Sequence, residues 1–383
     1  MALTDKLSAI GAAIREKGGT TELLTLAQMP DAIAALPTGG GSGGEGPTDE
    51  ELTLTGNCDS RFINGGWDWF VKKYGNRITT KDITDMADCF YGSQLKEIPF
   101  ELNIKTQTTP AYWTDAFRGA TMLESIGKIN NMQADALYGL FRDCYRLRYL
   151  PEMDLQWKTP AASKRTSDIF NSCYSLREIP EEFLSKIYNP KVTSTSYIQW
   201  ALSFYKCYAL NEIKGINPNS GILTSNSFNN SFLSCYHLKG ITFNTINGTP
   251  ITAQWKNQTI DLSTYVGWAG ESDADETITT KWNSGITADK EVTDAATYAA
   301  LKNDPDWWSR NYLYSRFGHD AAVELINTLP DTSAYIKAQG ASNNIVKFYT
   351  NAGMNTDGGS VSQLTEEEVA VAAAKGWTIS YTG

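Results

Sequence analysis

Phe170-Asn171-Ser172-Cys173-Tyr174-Ser175-Leu176-Arg177-Glu178-Ile179-Pro180 is the stretch on which the reading of the chain turns, because it recurs. Its closest copy is Phe141-Arg142-Asp143-Cys144-Tyr145-Arg146-Leu147-Arg148-Tyr149-Leu150-Pro151. Two more follow: one runs from Phe204 through Cys207, Tyr208 and Leu210 to Ile213, the other from Phe232 through Cys235, Tyr236 and Leu238 to Ile241. Degenerate copies precede them at Phe117, Ala120, Leu123 and Ile126, and at Phe90, Leu95, Ile98 and Pro99. The frame is F-x-x-C-Y-x-L-x-x-I. Its phenylalanines lie between 24 residues (Phe117 to Phe141) and 34 residues (Phe170 to Phe204) apart. Recurrence in that range is the signature of a solenoid.

The frame has a physical meaning. Phe and Cys stand three apart, which predicts one face of a single helical turn. The L-x-x-I that follows is too short for a helix and suits a short buried strand, ended by a Pro that has no N–H to donate. One unit cannot bury its apolar side alone. Stacked units align Phe over Phe, Cys over Cys and Leu over Leu in a continuous core. The predicted core residues are Phe141, Cys144, Leu147, Phe170, Cys173, Leu176, Phe204, Cys207, Leu210, Phe232, Cys235 and Leu238.

The chain has 383 residues, 20% charged and 11% aromatic, a globular composition. Its net charge of −10 argues against nucleic acid as a partner, since phosphate binding needs a basic face. No stretch approaches the roughly 20 apolar residues of a membrane span. The first ten residues lack a basic region followed by an apolar core, so synthesis and folding in a reducing cytoplasm are expected. There the six cysteines are not a disulfide scaffold. Four of them share one repeat position and should form a buried ladder of free thiols. With no C-x-x-C pair and only His237 and His319 as imidazoles, neither metal nor cofactor is expected.

Taken in order, residues 1–37 predict a helical hairpin, with apolar stripes Leu7, Ile10 and Ile14 on one helix and Met29 and Ile33 on the other. It is too small to be stable alone and should serve attachment or oligomerisation. Residues 38–49, including Gly39-Gly40-Gly41-Ser42-Gly43-Gly44, read as a flexible linker. Residues 50–250 read as the repeats with an N-terminal cap, in which Trp67, Trp69 and Phe70 are cap core. Between the frames, variable segments carrying Trp113, Trp157 and Trp200 point weakly to a binding side. After Pro250 the pattern is expected to break. Residues 251–383 read as an insertion and a closing unit: a helix from Asp306 to Phe317, another from Asp320 to Leu329, a strand from Ile345 to Tyr349, a capping box at Thr365 opening a helix, and a last strand from Trp377.

Sites of chemistry are few. No nucleophile elbow, phosphate loop, dinucleotide fingerprint or H-E-x-x-H occurs. Glu271, Asp273, Asp275 and Glu276 suit a calcium ion or a glycosidase pair, or simply a solvated acidic loop. The candidate ligand contacts are aromatic: Trp307 and Tyr314 beside Arg310, with Trp268 and Trp282 upstream. Packing of the same aromatics against the repeats or a sister chain is the alternative.

The repeat frame resembles the BspA-type leucine-rich repeats of bacterial surface proteins, most clearly over Met86 to Pro99, Leu140 to Pro151 and Ile169 to Pro180. Leu7 to Leu36 is similar to the N-terminal module of tail and fibre proteins of gut bacteriophages. Leu325 to Pro330, with Leu364 to Thr378, is similar to the closing unit of repeat proteins in those phages. The chain departs from the family in its irregular spacing, in the missing Cys of the first two copies and in the insertion after Pro250. The resemblance implies an α/β solenoid of irregular leucine-rich repeats with short strands and helical turns, preceded by a small helical hairpin and closed by a helix-strand unit. It implies a non-enzymatic virion protein of the tail fibre, tail tip or baseplate, made in the host cytoplasm and carried on the phage tail. Its implied partners are other tail proteins through residues 1–37, a host cell-surface glycan or protein, and sister copies, most simply in a trimer. A structural connector that binds other virion proteins and a polysaccharide-degrading tail enzyme are the alternatives.

Overall fold

The structure, a computed structural model, describes residues 52–57, 66–107, 112–158, 164–189, 198–235, 238, 240–263, 278–282, 289–292, 311–312, 319–349 and 364–382. The chain divides after Glu50. The expected hairpin of 1–37, with Leu7, Ile10, Ile14, Met29 and Ile33, and the linker of 38–49 lie outside the described residues.

Short parallel strands recur down the second unit and pair coil to coil. Leu52–Asn57 pairs with Ile78–Asp85, and Ile83 bridges to Ile104. Glu97–Ile98 pairs with Ser125–Ile126. Leu102–Asn103, Ile129–Ala134 and Met153–Trp157 form a three-stranded parallel sheet. Lys164–Arg165 pairs with Ile198–Gln199, and Glu212–Ile216 with Gly240–Phe243. Successive coils thus pair through several short parallel sheets, in which each strand's main-chain groups are satisfied by the neighbouring coils.

The F-x-x-C segment differs from the expected helical turn. Two positions of every copy lie in the left-handed region. Two residues before each Phe these are Asp88, Asp115, Gly139, Asp168, Leu202 and Asn230; two residues after it they are Gly92, Gly119, Asp143, Ser172, Lys206 and Ser234. Such backbone cannot continue a right-handed helix. Amides alternate in destination instead. Gly139, Phe141 and Asp143 donate to Ser167, Ile169 and Asn171 of the next coil, at 3.2, 2.8 and 2.8 Å. Leu140, Arg142 and Cys144 donate back three residues to Leu137, Gly139 and Phe141. The segment is thus a run of consecutive β-turns, with a left-handed residue third in the turn from Phe to Cys. It is hydrogen-bonded along the stack as a strand would be.

The side chains follow the frame. Phe90, Phe117, Phe141, Phe170, Phe204 and Phe232 stack in file, with centroids 5.4, 5.3, 5.9, 6.0 and 5.7 Å apart. Each pair adds about 0.5–1.5 kcal/mol beyond its area burial. The predicted core residues from Phe141 to Leu238 are all buried. Cys144, Cys173, Cys207 and Cys235 are free, and their thiols donate to the carbonyls of Phe117, Phe141, Phe170 and Phe204 one coil back, at 3.0–3.1 Å. Four residues before each Phe a further buried file runs through Met86, Trp113, Leu137, Thr166, Trp200 and Phe228. Trp113 and Trp200, expected on a variable binding side, are therefore core. Trp157 is half-buried and donates Nε1–H to the Tyr188 carbonyl at 2.6 Å.

Tryptophans stand at both ends of the buried files. Trp67, on helix α1 (Gly66–Tyr74), stacks on Phe90 at 4.4 Å and donates to the Cys89 carbonyl. At the other end Trp255 packs against Phe228 and Phe243, and then edge-on to Trp377 at 6.5 Å. The expected break at Pro250 is not a structural boundary. Leu223 bridges to Trp255 and Thr252 to Asp331, and the amides of Leu223 and Ala253 donate to Gln254 and Asp331. The stack continues into a parallel sheet ordered Thr259–Leu262, Asn344–Tyr349, Trp377–Thr382.

Helices α3 (His319–Thr328), α4 (Ser333–Gln339) and α5 (Glu366–Ala374) accompany that sheet; α2 (Glu181–Lys186) lies in the fourth coil. Thr365 caps α5 in a reciprocal capping box with Glu368. Lys375 Nζ donates to the Ile326 and Asn327 carbonyls at the end of α3, at 2.8 Å each. The helix expected from Asp306 to Phe317 is interrupted: Asn311–Tyr312 is extended and pairs antiparallel with Lys281 and Trp282. Among the described residues no helix is long and apolar enough to cross a membrane.

Candidate functional site

The repeat positions that do not enter the core are the ones available to a ligand. Eight residues after Phe141, Phe170 and Phe204 the side chain leaves the strand away from the core: Tyr149, Glu178 and Glu212 occupy this column in three successive coils. One residue further along, Leu150 is half-buried and Ile179 and Ile213 are buried. One residue before it lie Arg148, Arg177 and Asn211. Main-chain bonds keep these residues in register. Tyr149 bridges to Glu178, and the amides of Arg177 and Asn211 donate to Arg148 and Arg177 at 3.0 and 3.3 Å.

This column forms the floor of an open groove of about 470 Å³, lined by Tyr149, Arg177, Glu178, Asn211, Glu212 and Lys214. Helix α2 adds Glu181 to its wall. The chain passes Glu181 closely at Gly215, which has φ +71° and where a Cβ would lie 2.6 Å from Glu181 Cγ. Lys214 Nζ sits 2.8 Å from Glu212 Oε2, and that hydrogen bond raises the lysine pKa. Both groups are substantially exposed, so the pair adds little stability. The Tyr149 ring is 53% exposed. Asn211 Oδ1 is buried without a hydrogen-bond partner. A smaller cleft of about 160 Å³, between Leu150, Met153 and Phe183, lies over the next strand column.

The opposite rim of the frame carries a second set of charges. Arg118 meets Asp115 at 3.4 Å, and Arg142 meets Asp168 at 3.3 Å. Burial raises the pKa of Asp115, and the Arg118 charge opposes that shift. Gly139 lies against it: a Cβ there would fall 2.0 Å from Asp115 Oδ1 and would displace the carboxylate.

The ladder thiols do not suit nucleophilic chemistry. Burial raises the pKa of all four; Cys235 is pushed up to about 12, and neighbouring thiols add to the rise at Cys173 and Cys207. Among the described residues no group of three or more His, Cys, Asp or Glu is placed to hold a metal ion.

Of the ligand contacts expected from sequence, Trp282 closes the strand Ile278–Trp282, whose backbone pairs with Asn311. Trp268, Trp307, Arg310 and Tyr314, and the acidic cluster of 271–276, lie outside the described residues. The groove residues are not tryptophans and lie outside the insertions, so neither of those signals marks them. Alternation in the L-x-x-I strand carried the signal, since Tyr149, Glu178 and Glu212 each precede an inward Leu or Ile. No protein-family model matches the chain, and no curated protein or solved structure is significantly similar to it.

Proposed function

We propose that the stack is an α/β solenoid of irregular leucine-rich repeats, and that the chain is a non-enzymatic component of a phage tail fibre, tail tip or baseplate that presents this solenoid to the host surface. The observation that carries the reading is the division of labour within each coil. Phe, Cys and Leu form a continuous buried file, while Tyr149, Glu178 and Glu212 hold an outward column of one aromatic ring and two carboxylates. A rigid core with an outward column of such groups is suited to recognition by contact. The resemblance of residues 7–36, and of 325–330 with 364–378, to phage modules supplies the virion assignment. In this reading residues 1–37 join the protein to other tail proteins and to sister copies, most simply as a trimer, and the linker gives reach. Several copies on one particle convert weak single contacts into firm attachment through effective concentration.

The full chain, fluorescently labelled, should bind cells of the phage's host and compete with the particle for adsorption. Mass spectrometry of purified particles should find the chain among the tail proteins. Its presence in the particle without any cell binding would favour a connector that holds other virion proteins.

A further inference from the structure

We infer that the groove over the third to fifth coils binds a short stretch of a neutral, hydroxyl-rich polysaccharide lying along the stack, across the strands; this deepens the recognition reading above and rests on it. Three observations carry the inference. The first is spacing. Tyr149, Glu178 and Glu212 stand on laterally adjacent chains, so their positions advance by roughly 4.8 Å per coil. A pyranose chain offers one ring with hydroxyls on its edges over a similar advance. An extended peptide repeats same-face side chains only every 6.6 Å or so, twice the rise per residue, and would fall out of step within two coils.

The second is donor and acceptor chemistry. Glu178 and Glu212 only accept, Arg177 and Lys214 only donate, and Asn211 does both. Mixed acceptors and donors at close range match neighbouring hydroxyls, each of which donates and accepts. Asn211, which lines the groove, carries an Oδ1 that lacks a protein partner. The third is the exposed Tyr149 ring, at the end of the groove set by the third coil, which offers a flat apolar face for the C–H face of a sugar. A volume of about 470 Å³ lies within the roughly 300–1,000 Å³ usual for small-ligand sites. The open, polar lining suits a hydroxylated chain better than an apolar one.

The test uses the full chain against two printed arrays, one of bacterial capsule and O-antigen oligosaccharides and one of linear peptides. Tyr149→Ala, Glu212→Gln and the control Tyr381→Ala, at a tyrosine 40% exposed in the last strand, are compared with the parent. All three sites are exposed, so the variants should keep the parent's melting temperature. Saturable binding to at least one uncharged oligosaccharide is expected, weakened at least tenfold by Tyr149→Ala and severalfold by Glu212→Gln, and unchanged by Tyr381→Ala. Binding of peptides alone, no oligosaccharide binding, or equal affinities in all four proteins would overturn the inference. Whole-cell binding that survives both groove variants removes the groove and leaves the recognition reading standing. Array binding that follows the groove variants, in a chain missing from the particle, keeps the groove and removes the virion assignment.

Discussion

Between Met86 and Phe243 each Phe segment crosses between parallel strands as consecutive β-turns, with α2 an added helix in the fourth coil, whereas between Asn344 and Thr382 the connection between parallel strands contains helix α5. The difference lies in where the connecting amides go. In α5 they are satisfied within the helix and by the Thr365 cap, so the connection is held locally. In the Phe segments every other amide crosses to the neighbouring coil, as from Phe141 to Ile169 and from Phe170 to Ser203. Such a connection is ordered only when its neighbour is in place. The turn coils gain two hydrogen-bonded sides per layer, at the cost of two left-handed residues each. Helical connections avoid that strain and give up the second side. Damage should therefore spread in the coils and stay contained in the helical unit.

The largest effect should come from the middle of the Phe file. Phe170 touches Phe141, Phe204 and Phe183 at 5.9–6.0 Å, and Phe170→Ala should cost about 3–5 kcal/mol in urea unfolding. Hydrogen exchange should quicken in the coils on both sides. A cost below about 1 kcal/mol, or exchange confined to one coil, would break the contrast. Next is Leu202, left-handed at φ +57° with none of the local side-chain hydrogen bonding that lets Asp or Asn sit there. Leu202→Gly should raise stability by about 1 kcal/mol. A loss of that size would mean its partly buried side chain matters more than the backbone strain.

Thr365→Ala removes the capping box and should cost about 1 kcal/mol. Exchange should quicken in α5 while the Phe segments keep their protection; loosening of both would deny that the helical unit is self-contained. The smallest effect is electrostatic. His319 Nε2 lies 3.1 Å from Glu368 Oε2, and hydrogen bonds to Glu368 and Asp320 raise the imidazole pKa. A raised folded pKa means a contribution fully present below the unfolded value near 6.5 and lost as pH climbs through the folded value. Glu368 is lowered, chiefly by the Thr365 amide, so its contribution fades as pH falls through its own folded value. The clasp between α3 and α5 is strongest at mildly acidic pH. Glu368→Gln should lower the His319 pKa in an NMR titration, and an unchanged value would show the contact is not made in solution.

Much of this arrangement is written in the order of residues, and the part that is not has a physical reason. Phe, Cys and Leu recur at fixed offsets, and side chains at equivalent positions of stacked coils must meet. The Thr365 capping box and the Trp377 strand carry local signals of their own. The backbone of the F-x-x-C segment is hard to read, because Leu202 and Lys206 do not look like left-handed residues and Asp88 and Asp115 are ordinary in many other turns. Only the appearance of Gly at the same offsets, at Gly92, Gly119 and Gly139, hints at it. Trp255 was read as part of an insertion because its partners, Phe228 and Trp377, lie far away in sequence. For the groove, the outward column was present in the sequence; its meeting with Glu181 of α2 and with Lys214 depends on how the fourth and fifth coils fold back.

The alternating amides have a consequence for how such a chain can change length. Within Gly139 to Cys144 the destination of each N–H is set by parity, odd residues crossing to the next coil and even ones returning to their own. Inserting or deleting one residue there would exchange the two sets and send every amide to the wrong acceptor. Between one Phe segment and the next no such rule applies, and the interval runs from 24 to 34 residues. Length variation is thereby confined to one sector of each coil, while the other acts as a fixed-pitch thread onto which further coils can be added.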